Sequence, residues 1–215
     1  MSRYYPTYLD IKDRLCVVIG AGSVAEGKIK QLLDSGAKVR IISPESTGLV
    51  RNLASSGKVD LIERDYSHGD LNGAFIAIAA TDNNMVNRQI RDEASAEKVL
   101  LNVVDVTNLC DFIAPAIIER GPVSVAISTS GKSPALARKL RESFESEICD
   151  CMKWADAAHL LEEVRGEVKG PQSPSPELWQ QALDDNLLEL IRSGDLSSAK
   201  SKLLASLIGG QSKGK

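Results

Sequence analysis

Basic surplus, aromatic content and long apolar runs are all scarce in this sequence. Lys and Arg number 26 against 29 Asp and Glu, for a formal net charge of -3. A chain of that balance lacks the strongly cationic face that neutralises phosphates, so nucleic acid is not an expected partner. Aromatics make up 4% of the residues, and no apolar run approaches the roughly 18 residues a membrane helix needs. The opening MSRYYPTYLDIKDR has no apolar core and no small-residue cleavage site, so the expected location is the cytoplasm, with no membrane contact. The four cysteines, Cys16, Cys110, Cys149 and Cys151, show no C-x-x-C spacing, and the two histidines are His68 and His159. Cys149-x-Cys151 has no further Cys or His at ligand spacing, so no metal site is expected.

What is present is a β/α alternation in the first half. LCVVI (Leu15 to Ile19), VRII (Val39 to Ile42), LIE (Leu61 to Glu63), AFIAIAA (Ala74 to Ala80) and VLLNVV (Val99 to Val104) read as strands. Several are apolar on both faces, as in a parallel sheet covered by helices on each side. Ala25, Ile29, Leu32 and Leu33 fall at helical spacing, with Gly36 closing that helix. The alternation predicts an α/β fold with a doubly wound parallel sheet. PVSVAIST (Pro122 to Thr129) predicts one more strand, and Ser133-Pro134 the start of a helix. Helical segments are expected around Met152 to Val168 and Glu177 to Ile208, separated by the linker GPQSPSP (Gly170 to Pro176). At 215 residues the chain has room for one well-buried core and a smaller appendage.

Gly20-x-Gly22-x-x-Ala25 fits the dinucleotide-binding fingerprint and sits where its mechanism requires, after a strand and at the start of a helix. The first glycine permits the turn, the second lets a pyrophosphate near the backbone, and the free N-H groups of Gly20 to Val24, Ser23 included, receive it. The second strand ends on Ser43 and Pro44 where a ribose-binding acid is customary, and Arg40 and Arg51 lie nearby. NAD and NADP therefore both remain open at this level. AATDNNMVN (Ala79 to Asn87) puts Thr81 and Asp82 at the rim of the cofactor crevice, unless Asp82 and Asn83 simply cap the next helix. VVDV puts Asp105 at the carboxyl end of the fifth strand. A carboxylate there suits a general base, or a cap for the following loop.

GAGSVAEGK, AATDNNMVN, NVVDVTNLCDFIAPA and VSVAISTSGKSPALARKLR, in this order and spacing, resemble the precorrin-2 dehydrogenase family, including the dehydrogenase/ferrochelatase part of siroheme synthases. The resemblance implies an NAD-dependent oxidoreductase that converts precorrin-2 to sirohydrochlorin on the route to sirohaem or cobalamin, with Asp105 as the active-site acid. It also implies a homodimer with a Rossmann domain (residues 1–113), a small α+β dimerisation segment (114–148) and an α-helical C-terminal domain (149–215). Such a tetrapyrrole carries many carboxylates. Ser130, Gly131, Lys132, Ser133 and Arg138, in a turn and helix start rich in cations, suit a polycarboxylate. Two alternatives stay open. One is a bifunctional enzyme that also inserts Fe2+ or Co2+; the other is a non-catalytic Rossmann nucleotide sensor.

Overall fold

The computed structural model describes residues 4–146, 150–170 and 173–209. Cys149 and the side chain of Cys151 fall outside that description. The chain divides into two compact units, residues 1–114 and 115–215.

The first unit is a five-stranded parallel sheet of β1 (Leu15–Ile19), β2 (Lys38–Ile42), β3 (Val59–Ile62), β4 (Ile76–Ala79) and β5 (Leu100–Val103), in the order β3-β2-β1-β4-β5. The crossover helices are α1 (Ser23–Asp34), α2 (Gly48–Ser55) and α3 (Asn84–Glu97). Because side chains alternate along a strand, the sheet builds two cores. Cys16, Val18, Val39, Ile41, Ile76 and Ile78 face Ala25, Ile29 and Leu32 of α1 and Val50 of α2. Val17, Ile19, Ile42, Ala77, Ala79, Leu101 and Val103 face Ile90 and Ala94 of α3. Fully buried Ile29 and Ile90 each contribute about 1.5–3 kcal/mol from burial alone. This is the doubly wound Rossmann arrangement that the apolar runs predict. β3 begins two residues earlier than the LIE run suggests, because Val59 and Asp60 pair with Val39 and Arg40 of β2.

Helix α1 stops on a Schellman motif. Gly36 takes φ +77°, its N-H donates to Leu33 O, and the Ala37 N-H reaches Leu32 O. Only a residue without a Cβ adopts that turn cheaply. The order of the sheet reverses between β1 and β4, so the loops leaving their carboxyl ends diverge and open a crevice there.

The second unit opens with an antiparallel hairpin, β6 (Ala116–Arg120) and β7 (Val123–Ile127), turning at Gly121 with φ +56°. The sequence pattern predicts β7 and misses β6, a short mixed-polarity run that becomes a strand by pairing with β7. Helix α4 (Pro134–Glu145) follows. Ile118 and side chains of β7 share a small core with Phe144, Met152 and Ala155, the last two lying on the 3-10 segment Asp150–Ala157. Four helices complete the unit: α5 (Ala158–Glu167), α6 (Pro176–Ala182), α7 (Asp185–Arg192) and α8 (Leu196–Gly209). They enclose Leu160, Val164, Leu187, Ile191, Leu203 and Leu207. The helical stretch 177–208 is thus three helices. An Asp184 N-cap starts α7, and Gly194 at φ +78° ends it.

Candidate active site

The chain leaves β1 and turns at Gly20, whose φ of +100° strains any residue with a Cβ. Gly20 N-H donates to Ile42 O at 2.9 Å, and Ala80 N-H to Ile19 O at 2.7 Å, so the turn is tied to both strands that flank β1. A Cβ on Gly20 would lie 2.3 Å from Ala80 O. The first glycine therefore serves the close packing of two loops.

Gly22 serves something else. It caps α1 from the extended region, at φ -80° and ψ -176°, and supplies no side-chain acceptor. A Cβ added there would meet nothing within 4 Å. Helices α2, α3, α4, α6 and α7 all have a side chain, from Thr47, Asn83, Ser133, Ser175 and Asp184, that accepts from their first turn. The first-turn N-H groups of α1 have no such acceptor and add to the positive end of the helix dipole. That combination fits a pyrophosphate.

A cleft of about 520 Å³ lies against this turn, walled by residues 19–22, 42–47, 65, 66, 80–83 and 86. Of the residues predicted for the cofactor, Gly20, Gly22, Ser43, Pro44, Thr81 and Asp82 line it; Ser23 and Val24 stand exposed on α1 outside its wall. Ser43 is buried, and its hydroxyl donates to Glu45 O at 2.6 Å. Glu45 itself is exposed on this wall, two residues beyond the position the fingerprint inspects, as are Asp65 and Asp82 elsewhere on it. Arg40 pairs with Asp60 at 2.9 Å, and the guanidinium of Arg51 donates to Ser46 O. Both of these cations are engaged by protein groups.

At the end of β4, Asn83 caps α3, accepting from Met85 and Val86 N-H, while Asp82 is exposed on the cleft wall. Thr81 Oγ1 accepts from Asn83 N-H, and Thr81 O from Asn87 Nδ2 at 3.0 Å. The loop is braced from behind. Tyr66, which the sequence pattern does not single out, lines the same cleft and donates its hydroxyl to buried Glu93. Glu93 also accepts from Leu71 N-H at 2.8 Å and meets His68 Nδ1 at 3.1 Å. Burial alone would raise its carboxyl pKa; the hydrogen bonds from Tyr66, His68 and the backbone outweigh burial and hold it below the ordinary value.

Asp105 follows β5 by two residues and adopts φ +60°. Its side chain is exposed and accepts no hydrogen bond or ion pair from any described residue; the 3-10 turn that follows takes no side-chain cap. The capping alternative for this acid therefore has no hydrogen bond behind it. Cys110 explains why the strained backbone persists. Its thiol bonds Val103 O at 3.2 Å and Val106 O at 3.4 Å, and its sulfur accepts from Val103 N-H at 3.1 Å. Val106 N-H also closes onto Val103 O at 3.2 Å. Residues on both sides of Asp105 are pinned, which sustains the left-handed conformation. No local sequence signal marks Cys110, because its partners are set by the loop's path.

The predicted substrate residues lie in the second unit. Ser130 at φ +55° and Gly131 at φ +78° form the turn before α4. Thr129 Oγ1 accepts from Ser133 N-H at 3.0 Å, and Ser133 Oγ from Leu136 N-H at 3.2 Å. Lys132 is exposed beside them. Arg138 pairs with Glu142 at 3.1 Å and Arg141 with Glu145 at 3.2 Å, one helical turn on. These exposed pairs are worth little, so a stronger anion can recruit either arginine.

Comparison with known proteins gives the same direction. The family model described as "Putative NAD(P)-binding" matches residues 7–116, and that of the "Sirohaem biosynthesis protein central" segment matches 120–147. The siroheme synthase of Vesicomyosocius okutanii is 35% identical over 207 residues, covering 95% of this chain and 44% of that protein. That of Methylococcus capsulatus is 37% identical over 205 residues, covering 94% and 43%. The chain thus spans less than half the length of these relatives. A solved structure of SirC, a precorrin-2 dehydrogenase, superposes with a TM-score of 0.72 at 24% identity, covering 93% of this chain and all of that one, and shares the fold. The cleft and the uncapped helix start agree with the first of these matches: the chain belongs to the family described as "Putative NAD(P)-binding", and carries beside that region a segment similar to the sirohaem biosynthesis central segment.

Proposed function

We propose that this chain is an NAD-dependent precorrin-2 dehydrogenase that forms sirohydrochlorin, working as a cytoplasmic homodimer on the route to sirohaem or cobalamin. The observation that carries the reading is Asp105. An exposed carboxylate without a partner among the described residues is held at positive φ at the carboxyl end of β5. That strand pairs with β4, whose end lines the cofactor crevice.

When bound, the nicotinamide supplies the acceptor for a hydride. Gly22 and the first turn of α1 would hold the pyrophosphate. Glu45 would take the adenosine ribose hydroxyls, and its carboxylate would repel a 2′-phosphate; with Arg40 and Arg51 already engaged, NAD is favoured over NADP. Asp105 accepts the proton lost in the same two-electron oxidation, so precorrin-2 and NAD+ give sirohydrochlorin, NADH and H+. Ser130, Gly131, Lys132, Ser133 and Arg138 bind substrate carboxylates through N-H groups and cations. Support for the tetrapyrrole comes from the match of residues 120–147 to the sirohaem central segment. Exposed Ile117, Leu136 and Leu140 give β6 and α4 an apolar face suited to a second copy.

Mixing the purified protein with precorrin-2 and NAD+ and recording NADH tests the reading. Stoichiometric NADH and sirohydrochlorin are expected, and absence of both rejects it. The relatives' name, siroheme synthase, favours a second activity, metal insertion. Incubation of sirohydrochlorin with Fe2+ or Co2+ and the protein, followed by the metallated spectrum, decides that point.

A further inference from the structure

Tyr66 is the one aromatic among the described residues that line the cofactor cleft. It follows β3, on the same side of the glycine turn as residues 42–47, whereas Asp105 follows β5 on the other side, beyond β4. With a pyrophosphate at Gly22 between them, a nicotinamide beside Asp105 leaves the adenosine half on the Tyr66 side. Ile42 and Pro44 line that side, and Val86 lies two turns before Glu93 on one face of α3. Tyr66 also lines a second hollow of about 560 Å³, together with Gln89, Asp92 and Glu93 of α3. Its side chain packs partly on the core beneath α3, and its tip is fixed by the bond its hydroxyl donates to Glu93. The Glu93 carboxylate is 1% exposed and is itself held by Leu71 N-H at 2.8 Å and His68 Nδ1 at 3.1 Å. The chain beside Tyr66 is clamped as well: Asp70 accepts from Ser67 N-H at 2.8 Å and from the Arg64 guanidinium at 2.6 and 2.8 Å. Burial, followed by the hydrogen bond and charge of Glu93, raises the tyrosine pKa, so the hydroxyl stays a donor. A ring fixed in advance loses little freedom when a ligand arrives.

We propose that the Tyr66 ring is the stacking face for the adenine base, and that buried Glu93 is a positioning residue that holds the ring there through the Tyr66 hydroxyl. The assignment rests on the dinucleotide reading of the cleft and names the side chains that set affinity for the adenosine half. ADP carries that half without the nicotinamide. ADP and NAD+ therefore respond alike to changes at Tyr66.

The test compares Tyr66→Ala, Tyr66→Phe, Glu93→Gln and the Phe/Gln double variant with the unaltered protein. Calorimetric titration gives the Kd for ADP and for NAD+, under conditions where urea titration shows each variant folded. Loss of one base-aromatic stack predicts that Tyr66→Ala weakens ADP and NAD+ by the same factor, about five- to a hundred-fold. Tyr66→Phe keeps the ring and loses its latch, so a smaller loss is expected. Glu93→Gln disturbs the same bond, and the double variant should therefore bind ADP no more weakly than the weaker single one. Equal ADP affinity in Tyr66→Ala, or a loss for NAD+ alone, overturns the stacking role while leaving the dinucleotide reading intact. A Tyr66→Phe protein as weak as Tyr66→Ala overturns it in favour of a scaffolding role. If Tyr66→Ala does not fold, unchanged ADP affinity in both Tyr66→Phe and Glu93→Gln overturns the proposal without it, as do losses that add in the double variant. If the unaltered protein binds neither ADP nor NAD+, both readings fall together.

Discussion

Gly20→Ala and Gly22→Ala separate the two duties of the glycine turn. At position 20 the new methyl carbon would sit 2.3 Å from Ala80 O and 2.9 Å from Ala80 C, both backbone atoms of a loop tied to β1 by the Ala80 N-H to Ile19 O bond. The positive φ adds about 1–2 kcal/mol for a residue with a Cβ, and forcing the backbone apart adds about 1–3 kcal/mol. A loss of about 2–5 kcal/mol in the first unit follows. At position 22 the methyl meets nothing within 4 Å and the backbone is already extended, so stability should change by less than about 1 kcal/mol. The methyl would instead fill the space a pyrophosphate needs, weakening NAD+ by about tenfold or more. Urea unfolding without cofactor and calorimetric titration with NAD+ measure the two effects separately. The reasoning fails if Gly20→Ala unfolds at the same urea concentration as the unaltered protein, or if Gly22→Ala binds NAD+ equally well.

Asp105→Asn keeps a residue that tolerates the left-handed conformation and removes the base, so kcat for precorrin-2 should fall by about 10²–10⁴ at an unchanged NAD+ Kd; steady-state kinetics with normal turnover would refute the role. Asp105→Gly should in addition leave the protein as stable or more so, since it relieves a positive φ. Cys110→Ala removes the sulfur contacts around Asp105, with an expected stability loss of about 1 kcal/mol and a several-fold drop in kcat without change in the NAD+ Kd. Glu45→Gln should narrow the preference for NAD+ over NADP+, read as the ratio of kcat/KM with the two cofactors; an unmoved ratio would remove Glu45 from the ribose site. Glu93 is only 3% exposed, and its folded pKa is depressed from 4.5. Its contribution is therefore present above that value and lost as pH falls through the folded pKa. Glu93→Gln should cost about 1–3 kcal/mol near neutral pH and flatten the acid limb of a stability profile below about pH 4.5, as read from urea midpoints across pH.

The amino-acid order by itself determined the features that need only near neighbours: the five apolar strand runs, the stripe Ala25, Ile29 and Leu32, the glycine turn after β1, the Ser133 cap of α4 and the place of Asp105 just beyond β5. Periodicity and backbone sterics act over a few residues, and those residues are contiguous. Tertiary structure decided which remote groups meet. Glu45 stands exposed on the cleft wall while Ser43 turns inward to its own loop. Tyr66 entered the cleft through buried Glu93 on α3, and Cys110 gripped both sides of Asp105 because the chain folds back beneath that loop. β6 exists through its pairing with β7. Long-range electrostatics and hydrogen-bond partnership depend on strand order, which no stretch of the chain encodes locally.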